Sequence, residues 1–137
     1  MYTGIDRRMG RFFAADGKSL CLAFDHGIVG MNTDGMATPE KTLRECIAAG
    51  ADAILTTVGQ ALAFGKILNP VGLALNMDDY YGDPQHIVDQ ALAVGADFGK
   101  VIMYTGPEGN PETIHKAHML SAICRERSVP LMIEPIP

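Results

Sequence analysis

The sequence predicts an α/β fold built on a parallel sheet, and three observations carry that prediction. Five short apolar runs, each near strand length, recur along the 137 residues. Stretches of helical periodicity separate them, three opening on a cap residue followed by proline, at Thr38-Pro39, Asp83-Pro84 and Asn110-Pro111. No Asn-Gly or Asp-Gly turn joins two of the runs into a hairpin. Strands and helices alternating in this way give parallel strands joined by crossover helices.

The first run covers residues 19–25 and closes on Asp25, with Gly27 just beyond. After Thr38-Pro39, the residues Leu43, Cys46 and Ile47 recur at helical spacing until Gly50. The second run covers residues 51–58, and a short helix over 60–67 links it to the third, 71–76. Asp83-Pro84 opens a helix carrying Ile87, Val88, Ala91 and Leu92 that stops at Gly95. The fourth run is 96–104; the helix from Asn110-Pro111 carries Ile114, Ala117, Leu120 and Ile123 to about Arg127, and the fifth run is 129–135. Near-continuous apolar character suits strands covered on both faces. Ala49-Gly50-Ala51-Asp52 returns as Val94-Gly95-Ala96-Asp97, each time where a helix hands over to a strand, so one supersecondary unit is used twice.

Composition narrows the classes. The length fits one domain over residues 1–137, and 47% hydrophobic residues is too many for a disordered segment. A net charge of −5 speaks against a nucleic-acid backbone as partner, yet a phosphorylated small molecule can still be held by backbone N–H groups and a local cation. No apolar run approaches the roughly 20 residues of a membrane span, and the N-terminal stretch lacks a signal-peptide pattern. Cys21, Cys46 and Cys124 are far apart in apolar surroundings, so reduced thiols and a cytoplasmic location are expected.

Two architectures compete. A doubly wound sheet announces a nucleotide with G-x-G-x-x-G after its first strand, whereas residues 25–30 read Asp-His-Gly-Ile-Val-Gly. In a (β/α)8 TIM barrel the working side chains stand at the C-terminal ends of the strands, and the runs here end on or near Asp25, Thr57, Asn76, Tyr104 and Glu134. The pattern therefore predicts the N-terminal five βα units of such a barrel, incomplete because a full one takes about 250 residues.

Several residues are candidates for chemistry. On the first strand's pleat Cys21, Ala23 and Asp25 share one face, which directs Asp25 into the mouth of the barrel; an Asx turn in the following loop is the alternative. Lys100 sits inside an apolar strand on the face of Phe98, Ile102 and Tyr104. A buried lysine needs a partner or a function, either as anion anchor or, with its pKa lowered by desolvation, as an imine-forming amine; the alternative is a lysine that snorkels to solvent. Glu134 ends the fifth run, where a carboxylate can pair with Lys100 or act as a general acid/base. His26 beside Asp25, the strand-end Asn76, and Tyr104 as a proton donor are candidates for substrate contact. His86, His115 and His118 read as solvated helix faces, and no metal or other cofactor is expected.

The stretch Gly17 to Gly27, with LAFDHG at its end, resembles the first strand of class I aldolases of the archaeal fructose-bisphosphate aldolase type. The group includes tagatose-bisphosphate and deoxyribose-phosphate aldolases, the thiolase of autoinducer-2 breakdown and aminodideoxyheptulosonate synthases. ADFGKVIMY and PLMIEP are similar to strands four and five of the tagatose-bisphosphate branch. The resemblance implies a Schiff-base lyase of carbohydrate metabolism or glycolysis, in which Asp25 holds or deprotonates a hydroxyl while Lys100 and Glu134 polarise and orient the substrate. The fructose-bisphosphate branch carries Tyr-Pro at the end of strand five, where this chain has Glu134-Pro135. Family members form their imine on a strand-six lysine and bind phosphate with the loops after strands seven and eight.

The chain is thus expected to be the N-terminal part of an aldolase barrel acting on a phosphorylated sugar or small carbonyl substrate, without metal and inactive by itself. The alternatives are a non-catalytic βα-repeat binding or assembly subunit, and a shortened site in which Lys100 itself forms the imine. Open edges on the first and fifth strands favour a homo-oligomer.

Overall fold

The computed structural model describes residues 4–28, 33–78, 83–107 and 109–137. Helix α1 (Gly4–Phe12) is followed by β1 (Cys21–Ala23), α2 (Pro39–Ala48), β2 (Ala53–Thr56), α3 (Val58–Leu68) and β3 (Gly72–Asn76). Then come α4 (Pro84–Ala93), β4 (Phe98–Tyr104), α5 (Pro111–Glu126) and β5 (Leu131–Ile136). All strands are parallel, in the order β1-β2-β3-β4-β5, and the sheet curls into a half-barrel.

Proline occupies the first helical turn of α2, α4 and α5. Asp83 accepts from the Gln85 N–H and Asn110 from the Glu112 N–H, both at 2.9 Å, each cap being worth about 1 kcal/mol. Thr38 departs from expectation, because its side chain makes no capping bond to α2. Thr57, read as a strand end, instead caps α3 by accepting from the Gln60 N–H at 3.2 Å, so that helix starts two residues early. The first strand is shorter than its apolar run: among the described residues β1 pairs with β2 alone, and the chain leaves the ladder for a 3-10 turn at His26–Ile28. The fifth begins later and ends one residue later than its run.

The sheet's outer face carries Ile54, Leu73, Leu75 and Val101, which pack with Leu43, Val88 and Leu120 of the helices in one buried core. Each such side chain contributes about 1.5–3 kcal/mol of burial free energy. The inner face carries Ala53, Leu55, Ala74 and Phe98, and α1 lies across the end where the strands begin. Phe12 meets Phe98 at a ring-centroid separation of 4.3 Å and Phe13 at 5.4 Å. Gly72 makes room for it, since a Cβ there would stand 2.8 Å from the Phe12 Cα. Arg8 donates to the carbonyls of Ala96 and Ser128, while Arg11 pairs with the buried Asp97. With that end covered by α1, the opposite end of the half-barrel is the one left for function.

The repeated Gly-Ala-Asp has a structural purpose. Gly50 and Gly95 take φ of +104° and +75°, ending α2 and α4 in the left-handed region. The next residue's N–H then reaches back to the helix, Ala51 to the Cys46 carbonyl and Ala96 to that of Ala91. The aspartate closes the unit by accepting the N–H of a neighbouring chain segment: Asp52 from Leu20 at 2.7 Å, Asp97 from Leu73 at 3.1 Å. The end of α5 repeats the turn with Ser128 (φ +56°) in place of glycine and Val129 reaching back to Cys124.

Candidate active site

Parallel pairing decides which side chains share the inner face. Asn76 is in register with Lys100, Lys100 with Met132, and Ile102 with Glu134. Asn76 ends β3 and Glu134 lies past the middle of β5, whereas Lys100 and Met132 stand in the first halves of β4 and β5. Lys100 is 6% exposed. Its Nζ lies 2.8 Å from Glu134 Oε2 and 3.0 Å from Asp78 Oδ2. Glu134 is two residues past Met132, and Asp78 is two residues past Asn76. The ammonium therefore leans along its strand and meets a carboxylate at the same height on either side.

Burial by itself lowers the pKa of Lys100, but the hydrogen bonds its ammonium donates to Glu134 and Asp78, with their negative charges, outweigh it and hold the pKa above the ordinary lysine value. The desolvated, proton-releasing amine allowed for in the sequence reading is replaced by a paired ammonium. Asp25 stands on the same side of the sheet and accepts from Asn76 Nδ2 at 2.6 Å, across the end of β2. Asn76 Oδ1 accepts from the Asp78 N–H at 2.8 Å. A continuous polar chain thus runs Asp25–Asn76–Asp78–Lys100–Glu134.

The other candidates lie further out. His26 is half-buried in the 3-10 turn directly after Asp25. Tyr104 is on the Lys100 face but four residues further along β4, about 13 Å at strand rise. It is 45% exposed and lines a cleft with Gly106, Pro107, Ile136 and Pro137, apart from the polar chain. His86, His115 and His118 are exposed on α4 and α5. Among the described residues no three His, Cys, Asp or Glu side chains come together in a metal-binding group.

Asp78 is the residue that sequence reasoning missed. Its signal is an aspartate two positions beyond the polar strand end Asn76, hence on the same face by strand alternation. Its Oδ1 also accepts from the Ile102 N–H at 2.6 Å, and its carbonyl accepts from Lys116 Nζ of α5. Cys21 lies on this face too, an exposed residue whose thiol is partly desolvated and so pushed up to about 11, the charge of Asp25 adding to the rise, despite a backbone hydrogen bond at Leu55.

Residues 19–137 match the DeoC/LacD family aldolase pattern. The chain belongs to this family. It is 29% identical over 137 residues to 2-amino-3,7-dideoxy-D-threo-hept-6-ulosonate synthase of Halobacterium salinarum, covering 94% of this chain and 51% of that protein. It is 35% identical over 107 residues to fructose-bisphosphate aldolase class 1 of Thermoproteus tenax, covering 70% and 41%. The solved structure of a Schiff-base-forming fructose-1,6-bisphosphate aldolase superposes with a TM-score of 0.72 at 25% identity, over 94% of this chain and 56% of that one. The same figures hold for an archaeal fructose-1,6-bisphosphate aldolase whose catalytic lysine carries the carbinolamine intermediate. The family member described here thus spans about half the length of the curated relatives it matches, and its half-barrel is a partial TIM barrel.

Proposed function

We propose that this chain supplies the first five βα units of a class I aldolase site that makes or breaks a C–C bond beside the carbonyl of a phosphorylated sugar. The observation that carries the reading is the polar chain from Asp25 to Glu134 across the C-terminal ends of the strands in a member of an aldolase family. Two carboxylates on one ammonium, with Asp25 a third along the same polar chain, suit hydroxyl and carbonyl groups better than a phosphate, which such a charge balance repels.

In this reading Asp25, oriented by Asn76, accepts the hydroxyl proton whose removal accompanies C–C cleavage. Lys100 donates to the substrate oxygen beside the reacting carbon, and Glu134, half-exposed and paired with it, relays a proton. His26 and Tyr104 contact more distal parts of the substrate. A lysine held as an ammonium by two carboxylates is not a nucleophile, so the imine forms on a lysine outside these five units and the 137 residues are inactive by themselves. The free edges of β1 and β5 favour association of copies in a cytoplasmic carbohydrate pathway such as glycolysis.

The test is steady-state cleavage of fructose 1,6-bisphosphate and related ketose phosphates by the longest product of this reading frame. Asp25→Asn and Glu134→Gln are expected to lower kcat by about 10²-fold or more with the fold retained. Unchanged kcat in both variants would favour the non-catalytic binding or assembly role.

A further inference from the structure

We propose that Asp78 is a positioning residue, the fixed counter-ion that aims Lys100, and that Glu134 is the partner free to exchange with substrate. The inference deepens the site proposed above and rests on that reading.

The two carboxylates are held very differently. Both oxygens of Asp78 are committed, Oδ1 to the Ile102 N–H at 2.6 Å and Oδ2 to Lys100 Nζ at 3.0 Å. Its backbone is held on both sides, the N–H by Asn76 Oδ1 and the carbonyl by Lys116 Nζ. Its side chain is 15% exposed, against 50% for Glu134, whose Oε2 meets the same ammonium from β5. A half-exposed carboxylate gives up its ammonium at small cost because water replaces the contact. A mostly buried one with both oxygens bonded does not.

This asymmetry gives the pair a working order. When a substrate hydroxyl takes the place of Glu134 at Lys100, Asp78 keeps the buried ammonium compensated and pointed at the same spot. Without Asp78, every departure of Glu134 would strand a buried charge, which is strongly unfavourable. Asn76 also ties Asp78 to Asp25, so the fixed counter-ion and the base share one support.

Competitive acetylation with trace acetic anhydride between pH 8 and 12, read by peptide mass spectrometry, tests this without any sugar present. Its result therefore stands apart from the fate of the aldolase reading. Lys18 and Lys41, with side chains 86% and 71% exposed, serve as internal standards. Asp78→Asn retains an oxygen for the Ile102 N–H and removes the charge. It is expected to lower the titration midpoint of Lys100 by about one unit and raise its relative labelling about tenfold at a given pH. Glu134→Gln is expected to raise it by less. Wild-type labelling and midpoint in Asp78→Asn, or an equal or larger change in Glu134→Gln, would overturn the assignment. Should Asp78→Asn fail to fold, urea unfolding of Asp78→Asn/Lys100→Met decides. Recovery of a cooperative transition supports the charge pairing, and continued loss of the fold assigns Asp78 a purely structural role and overturns the proposal.

Discussion

Asp78 and Glu134 occupy equivalent places on either side of one lysine, each two residues beyond the position in register with Lys100. Parallel pairing makes this geometry available: side chains two apart share a face, and neighbouring strands run at matched height. The ammonium has to lean toward the C-terminal end to meet both, which directs it away from the Phe12–Phe98 plug beneath.

That pairing predicts a dependence of stability on alkaline pH. The pKa of Lys100 is raised in the folded state, where burial is outweighed by the two carboxylates. Its contribution is therefore fully present below the unfolded lysine value and is lost as pH rises through the folded one, above the usual lysine range. Urea midpoints compared between pH 8 and 12 should fall more for the wild type than for Lys100→Met. Parallel curves for the two would mean that the ion pair contributes nothing to stability.

The bond from Asn76 to Asp25 predicts a stability cost at neutral pH. Asn76 is 7% exposed and bridges Asp25 to the Asp78 N–H. Replacing it by alanine deletes a bond to a charged group and leaves the Asp78 N–H without its acceptor, which costs about 1.5–3 kcal/mol. Urea unfolding of Asn76→Ala measures it; a loss below about 0.5 kcal/mol would mean that water replaces the amide.

Much of the fold is legible in the chain. The alternation of apolar runs with helical stretches, three of them opened by proline, gives all five strands, the first longer than it proves to be, and the Gly-Ala-Asp echo marks two helix-to-strand handovers. Lys100 and Glu134 stand out because charge inside an apolar run demands a partner. What is not legible depends on distance in space. Asp78 becomes part of the site only once register sets it beside Lys100, and its place after the strand gives it the look of a turn residue. Helix α1 hides for a different reason: Phe12 and Phe13 sit in a polar stretch, and their burial comes from Phe98, some 85 residues on. Thr57 is ambiguous because a strand end and a helix cap want the same residue type at the same place.

The third handover makes a backbone prediction. Ser128 holds a φ of +56° where Gly50 and Gly95 hold the two earlier turns. Ser128→Gly is expected to stabilise the protein by roughly 0.5–1 kcal/mol, and Gly95→Ala to destabilise it by about 1–2 kcal/mol. Thermal or urea unfolding checks both; opposite signs would show that side-chain contacts rather than the turn set the balance.

The two thiols report on opposite faces of the sheet, Cys21 on the inner face and Cys124 in the core beneath the helices. Burial pushes Cys124 up to about 11, and partial desolvation of the exposed Cys21, together with the charge of Asp25, brings it to the same value despite its backbone hydrogen bond. Both are expected to react with iodoacetamide about a hundredfold more slowly at pH 8 than a thiol titrating near 9. Asp25→Asn should speed Cys21 and leave Cys124 unchanged. Equal acceleration at both would indicate a loosened fold, not a local charge.

The central claim, that Lys100 is a charged anchor within a shared aldolase site, is tested most directly by borohydride trapping with fructose 1,6-bisphosphate followed by peptide mass mapping. No adduct is expected on the 137-residue chain, and, in any longer product of the frame, an adduct is expected on a lysine beyond Pro137 with Lys100 unmodified. A stable adduct on Lys100 would contradict the claim.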